Sequence, residues 1–135
     1  MVKVLVIAHA PLASALRQVA EHVYPDCAPM LSVLDVPPGM GPEDVETAAR
    51  GLMAATPGRE WLVLTDVPGA TPSNGALRLS GDGVQVLSGV SVPLLWRTLC
   101  YAGNSCAQPL DELTRRAVQG GISGLEAQPP LLPDA

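Results

Sequence analysis

The chain has 135 residues, a length typical of one domain, and 47% of them are hydrophobic, which is enough for a buried core. The net charge of −5 and the lack of a cluster of lysines or arginines argue against nucleic acid as a partner. The chain has three cysteines, Cys27, Cys100 and Cys106, and their spacing is not that of metal ligands. This pattern predicts reduced thiols in a cytoplasmic protein without a zinc site.

The first half of the chain alternates apolar runs with helical patterns. Residues 2–9 are almost continuously apolar and rich in β-branched side chains, which is typical of a strand buried on both faces. A helix is predicted from about Leu12 to Tyr24, a short strand over Met30–Leu34, and a second helix from about Pro42 to Ala55. The second helix carries acidic residues in its first turns, where the helix dipole favours them.

The second half of the chain continues the same alternation. It predicts strands at 61–66 and 84–87, and helices at 74–79, 92–102 and 110–120. Such a succession predicts an α/β fold with a single doubly wound, mainly parallel sheet of flavodoxin-like order 2-1-3-4, flanked by helices. An antiparallel C-terminal edge strand is left open as an addition. We assign residues 1–127 to this domain and residues 128–135 to a flexible C-terminal tail.

Two chemically capable side chains end two of the predicted strands. His9 is the last residue of the first strand, and Asp66 is the last residue of the third. These strands are expected to be neighbours in a sheet of this order, so both residues should lie on the same rim. A carboxylate that accepts a hydrogen bond from one ring nitrogen fixes the tautomer and leaves the lone pair of the other nitrogen as a nucleophile.

The loop after Asp66 is the longest stretch of turn-forming residues in the chain. Gly69 turns without steric cost, so the backbone N–H groups of residues 69–71 are expected to converge on an anion. Thr71 adds a hydroxyl donor. A nucleophilic nitrogen, an orienting carboxylate and an anion-binding loop together suit a phosphoryl group on His9. No nucleotide-binding glycine motif follows the first strand, so we expect no nucleotide. We also expect no other cofactor and no metal.

Each of these residues also has an ordinary structural explanation. A histidine at a strand end is often only half-buried, and an aspartate before a turn often caps that turn. Residues 69–75 are equally consistent with a simple connecting loop. The prediction of chemistry depends on all three features meeting at one rim.

Four segments of the chain resemble the IIA domain of the mannose-type phosphoenolpyruvate-dependent sugar phosphotransferase system, which includes the fructose and sorbose members. The segments occur in the order and spacing of that family, and the resemblance extends over about residues 2–125. They are Val4–Leu16 with its strand-terminal histidine, Asp35–Gly39, Leu64–Ala76 with D-x-x-G-x-[ST]-P-x-N, and Val86–Leu99.

The resemblance implies a phosphotransferase component with a phosphohistidine intermediate. His9 would accept a phosphoryl group from the general carrier protein HPr and pass it to a separate IIB protein. Asp66 matches the aspartate that bonds the active imidazole. The remaining phosphate-binding positions implied by the resemblance lie in the following loop: Gly69 and Ala70 through their backbone, Thr71 through its hydroxyl, and Asn74 as structural support.

The resemblance also implies a homodimer formed by exchange of a C-terminal strand, and contact with a membrane only through a permease complex. The chain departs from the family pattern at three places. Ala10-Pro11 follows the histidine where the family commonly has glycine, and Ala70 stands where a second glycine is frequent. Pro129-Pro130 leave only the short segment Ile122–Gln128 for an exchanged strand.

A regulatory binding module is the alternative interpretation. Phosphorylation adds about −1.5 to −2 charges, which is enough to change an interface with a kinase or a transcription regulator. A related variant is the phosphodonor of dihydroxyacetone kinase. Neighbouring genes for IIB, IIC and IID partners would favour sugar transport, whereas HPr and enzyme I without a permease would favour regulation. A hydrolase is disfavoured because the chain has no G-x-S-x-G motif.

Overall fold

A computed structural model of the protein describes residues 2–103 and 108–129. In this part of the chain, four strands alternate with five α-helices, and a short 3-10 turn at Ala28–Met30 precedes the second strand. The elements are β1 (Val2–His9), α1 (Leu12–Val23), β2 (Leu31–Val36), α2 (Pro42–Ala54), β3 (Glu60–Thr65), α3 (Thr71–Leu77), β4 (Val84–Ser88), α4 (Val92–Ala102) and α5 (Leu110–Ser123).

The strands form one parallel sheet in the order β2-β1-β3-β4, so the predicted fold class is confirmed. The register places Ile7 of β1 opposite Thr65 of β3, and Thr65 opposite Ser88 of β4. Because all strands run in the same direction, their carboxyl ends share one edge of the sheet. Residues 2–103 and 108–129 contain no fifth strand, so the antiparallel edge strand left open by the sequence is absent from them.

Successive residues of β1 belong to two different cores. Val4 and Val6 pack into the cluster shared with α1, α4 and α5, whereas Leu5 and Ile7 pack into the cluster shared with α2 and α3. All four side chains are fully buried. This arrangement explains the continuous apolar run, because a parallel strand covered on both faces has no side exposed to solvent.

The close approach of α3 to α2 depends on Gly75. A Cβ atom at this position would lie 2.5 Å from the Cβ atom of Val45, a separation that side chains do not tolerate. Ala76 beside it packs in the same cluster as Val45 and Ala49. The lack of a side chain at Gly75 therefore lets α3 pack against α2, which fixes the end of the loop that begins at Asp66.

Among the element boundaries that differ from the sequence predictions, three lie near the carboxyl edge of the sheet. The third helix begins at Thr71, not Asn74, because Pro72 lies in its first turn, where proline has the correct φ and needs no N–H partner. The second strand runs to Val36, since its pairing with β1 continues up to His9. The third strand ends at Thr65, so Asp66 is the first residue after the strand.

Some of the sequence predictions concern residues that the structure does not describe. Of the predicted tail, 128–135, residues 130–135 lie outside the described part, as does Cys106. Cys27 and Cys100 are free thiols. No helix within residues 2–103 and 108–129 combines the length and apolar character that crossing a bilayer requires.

Candidate active site

The side chains of His9 and Asp66 meet at the carboxyl edge of the sheet. β1 ends at His9, β3 is followed by Asp66, and the two strands are parallel neighbours. His9 Nδ1 lies 2.7 Å from Asp66 Oδ2, and the His9 backbone N–H donates to the same oxygen at 3.0 Å. The structure thus brings together the two residues that the sequence placed on one rim.

This contact leaves Nε2 as the available nitrogen of the His9 ring. An ionised carboxylate only accepts hydrogen bonds, so the short contact requires the proton on Nδ1. In the neutral ring the lone pair then lies on Nε2. The His9 side chain is 53% exposed and that of Asp66 is 11% exposed. The imidazole ring is therefore accessible, while its carboxylate partner is sheltered.

The carboxylate of Asp66 is held by hydrogen-bond donors on both oxygens. The Val67 N–H donates to Oδ1 at 2.9 Å, and the two His9 donors reach Oδ2. Burial by itself raises the pKa of Asp66, but the hydrogen bonds from His9 and Val67 outweigh burial and bring that pKa below its ordinary value. The carboxylate is consequently ionised at neutral pH and oriented towards the ring.

The loop after Asp66 begins with a tight turn over Val67–Ala70. Pro68 occupies its second position, and Gly69 has a φ of 85° at the third, which is the pattern of a type II turn. The Ala70 N–H closes the turn towards Val67 O at 3.5 Å. This N–H therefore points back into the turn.

The backbone N–H groups of the two residues that flank Ala70 do not take part in the hydrogen bond that closes the turn. Within the described part of the chain, the N–H groups of Gly69 and Thr71 have no hydrogen-bond acceptor, and the Thr71 hydroxyl has no partner. Asn74 braces the turn, because its side-chain amide donates to Gly69 O at 3.1 Å. The loop thus combines a fixed backbone with donors that remain available.

Asp35 is a supporting residue to which the sequence analysis assigned no role. Its carboxylate accepts hydrogen bonds from the backbone N–H of Ser14, at 3.0 Å, and from the Ser14 hydroxyl. Helix α1 starts after Pro11 without a side-chain cap from its own first residues. Asp35 therefore caps α1 from the neighbouring strand and fixes the helix that follows His9. Two features of the sequence pointed to Asp35: it directly follows a predicted strand, and it begins the segment Asp35–Gly39 that carries the family resemblance.

The surroundings of His9 form an open rim. Residues 9–12, 37–39 and 67–69 are all exposed, and each group lies at or just after the carboxyl end of a strand. Small-molecule sites bury most of their ligand, whereas an exposed rim encloses little of any molecule that binds to it. The geometry favours the approach of another macromolecule. Among the described residues, no group of three His, Cys, Asp or Glu side chains is placed to hold a metal ion.

Comparisons with known proteins identify a family and several similar folds. A family model described as "PTS system fructose IIA component" matches residues 3–116. A search of curated proteins finds no match.

Several solved structures have a similar fold. A phosphotransferase system component EIIA from Streptococcus agalactiae superposes with a TM-score of 0.82 and 24% identity, covering 96% of this chain and 98% of that one. A mannose/sorbose specific IIA subunit from Enterococcus faecalis gives a TM-score of 0.80 and 20% identity, covering 93% and 92%. A PTS IIA protein associated with the fucose utilization operon of Streptococcus pneumoniae gives 0.69 and 25%, covering 87% and 89%.

Proposed function

The chain belongs to the PTS fructose IIA component family, whose general role is that of a phosphocarrier in the phosphotransferase system, and from that premise we propose that His9 carries the phosphoryl group. HPr is the proposed donor, and a IIB protein is the proposed acceptor. The contact of 2.7 Å between His9 Nδ1 and Asp66 Oδ2 supports this proposal most directly. It leaves a nucleophilic Nε2 on an exposed ring.

In the proposed first step, Nε2 of His9 attacks the phosphorus of the donor's phosphohistidine in line. The nitrogen–phosphorus bond of the donor breaks, its electron pair leaves with the donor imidazole, and a new bond forms to Nε2. The His9 ring gains positive charge as its lone pair enters that bond. The ionised Asp66 carboxylate stabilises this charge through the Nδ1 proton. In the second step the acceptor attacks, and the His9 ring leaves with its Nδ1 proton retained.

We propose that the loop after Asp66 holds the phosphoryl oxygens. The N–H groups of Gly69 and Thr71 and the Thr71 hydroxyl are donors without acceptors in the described part of the chain. Such donors suit an anion with three oxygens. Ala70 contributes the backbone that separates the two N–H groups, and Asn74 fixes the Gly69 carbonyl from below.

The open rim supports a protein as the partner in both transfers. Transfer between two proteins needs no enclosed pocket, because the reacting nitrogens can meet at two exposed surfaces. A cytoplasmic location is part of the same proposal, and the free thiols of Cys27 and Cys100 support it.

Phosphopeptide mapping tests the assignment of the carrier residue. After incubation with phosphoenolpyruvate, enzyme I and HPr, we expect an acid-labile label on the peptide that contains His9. His22 provides an internal control, because it is also exposed and no carboxylate contacts its ring in the described part of the chain. Label on His22, or no label at all, would contradict the proposal.

We also propose that the protein is a homodimer. β4 is an edge strand that pairs on one side only among the described residues. Leu87 of this strand lines one groove together with Ile122 and Leu125, which are 66% and 85% exposed. An unpaired edge beside exposed apolar side chains favours association with a second copy.

Sedimentation equilibrium should give the mass of a dimer, and Leu125→Glu should shift the mass towards the monomer. A wild-type monomer at all concentrations would refute this.

A further inference from the structure

Three hydroxyl side chains form a network at the base of the loop that follows Asp66. Thr65 is fully buried and Ser73 is 2% exposed, while Ser88, at the end of β4, is half-buried. Thr65 Oγ1 lies 2.7 Å from Ser73 Oγ and 2.8 Å from Ser88 Oγ. Polar groups buried in a core are costly unless they are satisfied, so this network calls for a physical explanation.

The hydroxyl protons of this network can be assigned from its geometry. The Val67 carbonyl only accepts, so the Ser73 hydroxyl donates to it, at 2.6 Å. Thr65 then donates to Ser73, and Ser88 donates to Thr65. In this order each of the three hydroxyl protons lies in one of the three shortest contacts of the network, at 2.6, 2.7 and 2.8 Å. The network is thus a directed chain that ends on the backbone of the loop.

The backbone of Val67 connects this hydroxyl chain to the active site. Its carbonyl accepts from Ser73, and its N–H donates to Asp66 Oδ1. The other bond to the same carbonyl, from Ala70 N–H, is long at 3.5 Å, so the Ser73 hydroxyl is its shorter and better-formed partner. Asp66 Oδ2 in turn holds the His9 ring. A displacement of Val67 would therefore rotate the carboxylate and, with it, the imidazole.

We propose that Ser73, supported by Thr65 and Ser88, is a positioning residue for the phosphoryl-transfer site. The hydroxyl chain fixes Val67, and Val67 fixes the carboxylate that orients the His9 ring. This inference rests on the proposed function of His9. None of the three hydroxyls forms a hydrogen bond to His9, so they act through Asp66.

The first test combines a rate and a spectrum of the Ser73→Ala variant. We expect transfer from phosphorylated HPr to be about tenfold slower, since small misplacements of reacting groups cost up to about 100-fold in rate. Nitrogen and proton NMR of the His9 ring, recorded without any phosphoryl donor, should show a weaker Nδ1–H hydrogen bond and a mixture of tautomers. Ser88→Ala, which lies two hydrogen bonds further from Val67, should change both quantities less.

Thr98→Ala is the matched control for the loss of a buried hydroxyl. Thr98 is fully buried, and its hydroxyl donates to Leu94 O at 2.8 Å within α4, outside the candidate site. We expect this variant to lower the stability of the protein while its transfer rate and the His9 ring signals remain those of the wild type. Equal changes in the ring signals of the Thr98→Ala and Ser73→Ala variants would show a general loss of structure and overturn the proposal.

A double variant separates positioning through Asp66 from any other effect. In an Asp66→Asn background, the additional change Ser73→Ala should slow transfer no further. A full additional tenfold loss would overturn the proposal. Failure of the positioning role of Ser73 can be distinguished from failure of the proposed function of His9. Unlabelled wild-type protein would reject His9 as the carrier, whereas wild-type ring signals in Ser73→Ala would reject the positioning role whatever the labelling shows.

Discussion

Replacing His9 with glutamine is expected to abolish phosphorylation of the protein by phosphorylated HPr. Glutamine is polar and of similar size, but its amide nitrogen has no lone pair available to attack phosphorus. Removal of a nucleophile costs other enzymes on the order of 10⁶-fold in rate, which is background in a labelling experiment. The His9 side chain is 53% exposed, so its replacement leaves no buried cavity and should preserve folding. Incorporation of labelled phosphate measures the phosphorylation of the variant, and urea unfolding measures its stability.

His22→Gln is the matched control for this experiment. The chain has two histidines, and both are exposed, so the same substitution at His22 removes an accessible imidazole without touching the candidate site. We expect this variant to be labelled at the wild-type rate. A His9→Gln protein that is still labelled at that rate would disprove the carrier role of His9.

Replacing Asp66 with asparagine is expected to slow transfer by about 10² to 10⁴-fold, the range seen when an orienting carboxylate or a charge-stabilising group is lost. An amide that turns its NH2 group towards Nδ1 favours the proton on Nε2, which blocks the nucleophilic nitrogen. An amide that turns its oxygen there places NH2 against the Val67 N–H, which needs an acceptor. In either orientation, the negative charge that stabilises the phosphorylated ring is gone.

Rapid-quench measurement of a single transfer from phosphorylated HPr provides the rate for this variant. The label should still be found on His9, because the nucleophile itself is retained. Asp111→Asn removes the same charge in the first turn of α5. Gly124, just beyond the other end of that helix, packs against Pro93 at the start of α4. Asp111 therefore lies at the end of α5 that is away from this contact. This control should transfer at the wild-type rate. Identical rates for the Asp66 variant and the wild type would exclude Asp66 from the mechanism.

Family membership and site geometry are separate arguments for the same function. The match over residues 3–116 establishes the family and confirms the resemblance seen in the sequence. Structures that are 20–24% identical to the chain establish the shared fold. The roles of His9 and Asp66 depend instead on the distance between their side chains and on the exposure of the ring. The predicted variants therefore test the geometry independently of the family.

The sequence predicted some elements with their observed bounds. β1 occupies residues 2–9 and α4 occupies residues 92–102, as expected. β1 was predictable because a strand buried on both faces is continuously apolar. α4 was predictable because its start is encoded locally, with Ser91 accepting the N–H of Leu94 as an N-cap. α3 was placed too late, since Pro72 suits both a turn and a first helical turn, and the packing of Gly75 against Val45 decides between them.

By itself, the sequence determined the fold class, and it placed a histidine and an aspartate at the same edge of the sheet. Periodicity and turn chemistry are local, so a single chain displays them without its partners. Only the tertiary structure decided which side chains touch. His9 meets Asp66 across 57 positions, Asp35 caps Ser14 across 21, and Thr65 meets Ser88 across 23. These contacts depend on strand register and helix packing, and local patterns leave both undetermined.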